Sequence, residues 1–238
     1  MCSWEDLPKL EADSPHFSLP HSSLVTLNAY RDLIILKEVI PSLDQFRLAH
    51  RSLKLFLTLR GLWGARFGYI GGFHLTLLLT RVALSLPKTA QAVHLIESFL
   101  KTYGEWDWSK NIVYPIPSRA SEATSISSYK RILSKEPMVV LSIQRPLSNL
   151  TFHASQNSVE ALSRDFHRAH RALAQNQSWF DVCGVHVRGE ATTHGALKEF
   201  IGSHRHFVKL DVHFWGGDNT KGRTLIGWLE SRIVNVRP

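Results

Sequence analysis

The sequence predicts an α+β chain, mainly helical, with one strand and one helix near its C-terminal end. Three observations carry this. Five apolar-rich stretches between Leu27 and Ala174 read as helices, some with one apolar stripe and some apolar on most faces. Pro41, Gly61, Pro87 and Gly104 stand where those stretches stop. From His206 the period changes to two, with Val208, Leu210, Val212 and Phe214 alternating with Lys209, Asp211 and His213, the pattern of a half-buried strand.

Residues 1–22 contain Pro and Ser without a clear period and read as an irregular leader. Leu27 to Ile40 is apolar on most faces and stops at Pro41, so it reads as a buried helix. Asn28, near its start, fits a helix cap. Ser42 with Gln45 fits a capping box for the next helix. That helix has Phe46, Ala49, Leu53, Phe56, Leu57 and Leu59 as its apolar stripe and runs into Gly61. A loop with glycines and aromatics follows, and a further apolar helix opens on Gly71-Gly72 and ends before Pro87.

Arg47, Arg51, Lys54, Arg60 and Arg66 spread over this helix and loop. They form either a solvated face or, with the free N–H groups at the start of the helix after the double glycine, an anion site. The double glycine itself fits a tight turn that lets helices pack closely. Lys54 lies between Leu53 and Leu55, so it either snorkels to solvent or points at a phosphate.

Ala90 to Tyr103 is amphipathic, with Val93, Ile96, Leu100 and Tyr103 on one face. Glu105 and Asp107 at period two would suit a metal ion on a strand, but the surrounding tryptophans favour a packed loop. Ser118 to Pro137 reads as a long surface loop and Met138 to Ile143 as a short apolar strand. Asn157 to Ala174 is a helix with Val159, Leu162, Phe166, Ala169 and Leu173 inward. His167 and His170 on it lack acids or cysteines at ligand spacing and read as solvated. Trp179, Phe180 and Phe200 are candidate packing anchors. A turn at Gly216 to Asn219 leads into a helix over Thr220–Val236, with Leu225, Leu229 and Ile233 inward.

Composition narrows the function classes. The chain has 238 residues, 44% hydrophobic and 20% charged, which is ordinary globular material. A net charge of +8 favours an acidic partner, nucleic acid or nucleotides first. Two cysteines, Cys2 and Cys183, give neither a disulfide framework nor zinc spacing, and a reducing, intracellular setting is expected. No run reaches the ~18 apolar residues of a membrane span.

The order of residues adds a resemblance. Phe46-Arg47-Leu48, Arg51, Leu53-Lys54-Leu55, Leu62-Trp63 and Gly68-Tyr69-Ile70-Gly71-Gly72 answer a phrase like FRxxLRxIKxWxxxxxIYxxxxGFxGGxxW. That phrase marks the central domain of eukaryotic poly(A) polymerases, which this chain resembles. Further phrases follow in the family's order. Glu105-Trp106-Asp107-Trp108 answers EWxWPxPV, with Ser109 in place of the first proline, and Met138 to Ile143 answers MPIITPAYP. Gly227-Trp228-Leu229-Glu230-Ser231-Arg232 looks like GLVESK/R. The resemblance runs from about Thr26 to Val236.

The resemblance implies a helical central domain over 23–198 and, over 199–238, the first strand and helix of an RRM-like RNA-binding domain. One strand and one helix cannot close that domain's core. It also implies site residues. Asn28 matches the asparagine of the SLNG phrase, which contacts the incoming nucleotide, with Ala29 in place of its glycine. Lys54 matches the lysine that binds the triphosphate. Trp63 occupies the place of a tyrosine that touches the triphosphate and lacks its hydroxyl. Gly72 and Phe73 match the end of Gly-Gly-Val, and Phe73 is bulkier than valine at a place of close backbone approach. Arg47, Arg51 and Arg66 are the expected RNA and phosphate contacts.

The family transfers AMP from ATP to RNA 3′ ends during mRNA processing in the nucleus. Its Mg²⁺ ions are held by carboxylates of a separate nucleotidyltransferase domain, which follows a Gly-Ser phrase. The only Gly-Ser here is Gly202-Ser203, without a following Asp-x-Asp. The chain is therefore expected to hold no metal and not to polymerise alone. Its expected partners are RNA, ATP and an upstream or separate nucleotidyltransferase domain. A truncated sequence, a degenerate copy and a subunit completed by another chain all fit. So does a non-catalytic RNA-binding or scaffold protein that retains the fold.

Overall fold

The structure, a computed structural model, describes residues 21–116, 129–132, 135–143, 147–184, 201–202, 209, 211–213 and 219–233. The leader to residue 20, most of the Ser118 to Pro137 loop, Gln144 to Pro146, Phe200 and the strand positions Val208, Leu210 and Phe214 lie outside the described residues.

The chain is mostly helical. Helix α1 spans His21–Val39, α2 Leu43–Leu59, α3 Gly72–Ser85 and α4 Ala92–Gly104. Helix α5 spans Gln156–Ala174, the short α6 Trp179–Val182 and α7 Asn219–Ile233. Among the described residues the extended segments meet only as isolated bridges. Val113 pairs with Val140 in parallel, and Leu141 with Asn149 in antiparallel. The Met138 to Ile143 segment is thus extended and buried, but it builds no ladder. Residues 209 and 211–213, all that is described of the period-two segment, carry no strand.

Helices α2, α3, α4 and α5 enclose one core. Phe46, Ala49, Leu53, Phe56 and Leu57 of α2 are buried, as the 3.6-residue period requires. On α4 the buried set is Ala92, Leu95, Ile96, Phe99, Leu100 and Tyr103. Val93 is 59% exposed, so the expected face was set one position off its centre. The centre is aromatic: Phe99 lies edge-on to Tyr103 at 4.9 Å and to Phe166 of α5 at 5.4 Å. Trp179 reaches Phe56 at 5.9 Å, whereas Phe180 is exposed and anchors nothing.

Close approach and paired charge fix α5. A Cβ on Gly104 would lie 2.9 Å from the backbone nitrogen of His167, so only glycine fits where the end of α4 crosses α5. Arg60, just past α2, pairs with Asp165 of α5 at 3.1 Å, and each side chain is 12% exposed. Arg168 approaches the same carboxylate at 3.3 Å. A buried carboxylate without such partners would cost several kcal/mol, on the order estimated for unpaired ions.

The tryptophan loop packs as expected. Trp108 stacks on Tyr103 at 5.7 Å and Trp106 lies 5.8 Å from it. The Tyr103 hydroxyl donates to the Leu78 carbonyl, and burial pushes its phenol well above the ordinary range. Asp107 is a turn residue: its Oδ1 accepts from the Ser109 hydroxyl and N–H and from the Lys110 N–H. These bonds, Ser109's first, hold its carboxyl down to about 2.

Two half-buried hubs pin the extended segments. Asn149 Oδ1 accepts from the N–H groups of Val140 and Thr151, while its Nδ2 donates to Glu136 and the Met138 carbonyl. Arg131 donates to the carbonyls of Trp108, Ser109, Glu136 and Pro137.

The capping box expected at Ser42 does not form: Ser42 makes no side-chain cap bond. Gln45 instead turns to α4, where its Oε1 accepts from the Ala92 N–H at 2.9 Å. It satisfies one of the orphan donors of a helix 47 positions on.

Candidate functional site

The site is built where α2, the loop after it and the start of α3 converge. Arg47, Arg51 and Lys54 are exposed along one face of α2, at the spacing that stacks side chains on a helix. Arg47 pairs loosely with Asp44 at 3.7 Å. Arg60 does not join them, since its guanidinium is taken up by Asp165.

The loop between α2 and α3 closes on itself. The Gly64 N–H donates to the Ile70 carbonyl at 3.0 Å, and Trp63 bridges Ile70. Gly64 and Gly68 adopt left-handed backbone conformations with φ 128° and 80°. A turn of 3-10 helix, Ala65–Phe67, fills the loop and carries Arg66, which is exposed.

This closure delivers Trp63 to Lys54. The Lys54 ammonium stands 5.4 Å from the centre of the indole. The same ring also approaches Gly72, where an added Cβ would lie 3.9 Å away, at ordinary contact. Lys54, Trp63 and Gly72 are thus brought together.

The two glycines play different parts. A Cβ on Gly71 would meet that of Ala65 at 3.2 Å, so Gly71 admits the loop rather than a neighbouring helix. Gly72 is exposed and has room beside it. As N-cap of α3, Gly71 offers no side-chain acceptor to the first-turn N–H groups. Phe73 packs partly buried against the core.

His50 was missed in the sequence. Its Nε2 lies 3.2 Å from Thr76 Oγ1 and 3.4 Å from the Gly72 carbonyl, tying the basic face of α2 to the start of α3. Burial first, with Lys54 nearby, lowers its pKa from the ordinary histidine value. His74 accepts the Gly71 N–H at Nδ1 and bonds the Leu150 backbone, and burial lowers its pKa too. Nothing local in the sequence marks either contact.

Asn28 lies on α1, but its side chain is outside the described part. Among the described residues no group of three His, Cys, Asp or Glu side chains could hold a metal ion. Also among them, no helix is long and apolar enough to cross a membrane.

Residues 45–181, more than half of the chain, match the family model for the poly(A) polymerase central domain. The chain belongs to the poly(A) polymerase family. The matched range holds Arg47, Arg51, Lys54, Trp63, Arg66, Gly72 and Phe73, while Asn28 on α1 lies before it. The chain is 23% identical over 232 residues to a poly(A) polymerase of Dictyostelium discoideum, covering 96% of this chain and 27% of that protein. It is 21% identical over 234 residues to nuclear poly(A) polymerase 1 of Arabidopsis thaliana, covering 96% and 31%. A poly(A) polymerase of Entamoeba histolytica is 23% identical over 154 residues, covering 64% and 28%. The chain therefore spans 27 to 31% of the length of these curated relatives.

Proposed function

We propose that this chain is the part of a poly(A) polymerase-type protein that contacts ATP and RNA. The polymerase reaction transfers AMP from ATP to an RNA 3′ end in the nucleus. The observation that carries the reading is the convergence of Lys54, Trp63 and Gly72 beside an exposed row of arginines. Lys54 offers a positive charge to the triphosphate while the indole face fixes where that charge sits. Its ammonium keeps donors free while it rests on the ring. The first-turn N–H groups of α3 point the same helix end at an anion. Asn28 is proposed to contact the nucleotide, and Arg47, Arg51 and Arg66 the RNA backbone.

Mg²⁺ would supply charge stabilisation at the transferring phosphoryl group, but among the described residues no group of three His, Cys, Asp or Glu side chains could hold it. In this reading the metal-binding carboxylates come from a nucleotidyltransferase domain outside these 238 residues.

Photolabelling with an azido-ATP analogue, followed by peptide mapping, tests the reading. Label is expected within Phe46 to Phe73 or on the peptide that carries Asn28, and is competed away by ATP. Label confined to other peptides would overturn it. Binding of RNA without any ATP labelling would favour a non-catalytic RNA-binding role.

A further inference from the structure

We propose that an aromatic–cation pair and an aromatic ring pair on touching loops form a stacking platform for the bases of single-stranded RNA. The first pair is Arg66 and Phe67, with the guanidinium carbon 4.9 Å from the ring centre. The second is Phe152 and His153, in the loop before α5, with ring centres 4.0 Å apart. Phe67 is 38% exposed and Phe152 62%, and neither belongs to the apolar core.

The loops meet at Gly68. A Cβ there would lie 3.0 Å from the His153 carbonyl oxygen and 3.6 Å from the Ala154 Cα. Phe67 precedes Gly68, and Phe152 precedes His153, so each exposed phenylalanine is the chain neighbour of a residue in this one backbone contact. Gly68 also holds a left-handed conformation, which favours glycine there on both counts.

Charge selects the occupant. Arg66 is exposed beside Phe67, and Arg164 on α5 is near enough to act on the Tyr69 hydroxyl. Of the acids on the adjoining part of α5, Asp165 is engaged by Arg60 and Arg168, and Glu160 accepts from Gln156. Exposed aromatic rings interleaved with cations suit a polyanion with flat bases better than an apolar protein segment. Stacking requires no particular base, so the platform would hold any unpaired strand, with adenine stacking well. The inference rests on the RNA-binding part of the proposed function and adds where the bases lie.

The test is binding of a fluorescein-labelled oligo(A) to the full chain, measured by anisotropy at several salt concentrations. Phe152→Ala is expected to weaken binding about 5- to 100-fold, the range for losing one base–aromatic stack, with the salt slope unchanged. Phe67→Ala should act in the same direction, and Phe152→Trp should retain affinity and show indole quenching on binding. Wild-type affinity in both alanine variants, with the wild type itself binding, would overturn the platform alone. Absence of oligo(A) binding by the wild type would overturn the RNA-contacting reading and the platform with it.

Discussion

Lys54 and Trp63 form a cation–π pair at 5.4 Å, nine positions apart across a closed loop. The indole cannot offer a phenolic hydroxyl, but its ring lies near both the Lys54 ammonium and Gly72. Trp63→Ala is expected to lower ATP affinity about 2- to 5-fold, the worth of a half-exposed cation–π contact. Trp63→Tyr should keep it. Calorimetric titration with ATP measures both, and an unchanged affinity in the alanine variant would remove Trp63 from the site.

Arg60 and Asp165 tie the end of α2 to α5 with little water access. Asp165→Ala leaves two guanidinium groups without their carboxylate and should cost about 3–5 kcal/mol. For a chain of this size that is a fall in Tm on the order of 10 °C. A melt by circular dichroism decides it, and a shift under about 2 °C would show the pair to be dispensable.

Gly104 leaves no room for a side chain against α5. Gly104→Ala forces the helices apart and should destabilise the chain by about 1–3 kcal/mol, even though alanine favours helix. By contrast, a Cβ on Gly227 meets nothing within 4 Å, and Gly227→Ala in α7 should be neutral or stabilising. Chemical denaturation of the two variants separates packing from propensity. Equal behaviour would contradict the close approach.

His74 gives the Gly71 junction a pH dependence. Its pKa is lowered from 6.5, by burial first and His153 also, so the unfolded chain takes up the proton before the folded one as pH falls. Its contribution to stability is complete above about 6.5 and is lost as pH falls through the lowered folded value. His50, lowered in the same direction, adds to the slope. His74→Gln should flatten the dependence of Tm on pH between 5 and 6.5, roughly the range where histidine titrates. An identical slope in the variant would rule out this origin.

Periodicity made the helices legible. The α2 stripe from Phe46 to Leu57 was readable because burial on one face imposes the 3.6-residue repeat. Long-range choices left no local mark. Gln45 looked like half of a capping box, yet its partner is Ala92. Arg60 looked like one more surface cation, yet it meets an aspartate 105 positions away. Lys54 and Gly72 were singled out through the resemblance, and the fold brings both to Trp63. The contacts of His50 with α3 and of Gly68 with His153 were not legible, because only tertiary packing brings those partners together.

The most direct measurement is the equilibrium affinity of the chain for ATP, wild type beside Lys54→Ala. Lys54 lies exposed over the Trp63 ring, so its loss should leave the fold intact, with Tm unchanged. The account predicts binding by the wild type and a loss of about tenfold or more in the variant, the scale of a charge-assisted bond. Equal ATP affinity in the two proteins would contradict it.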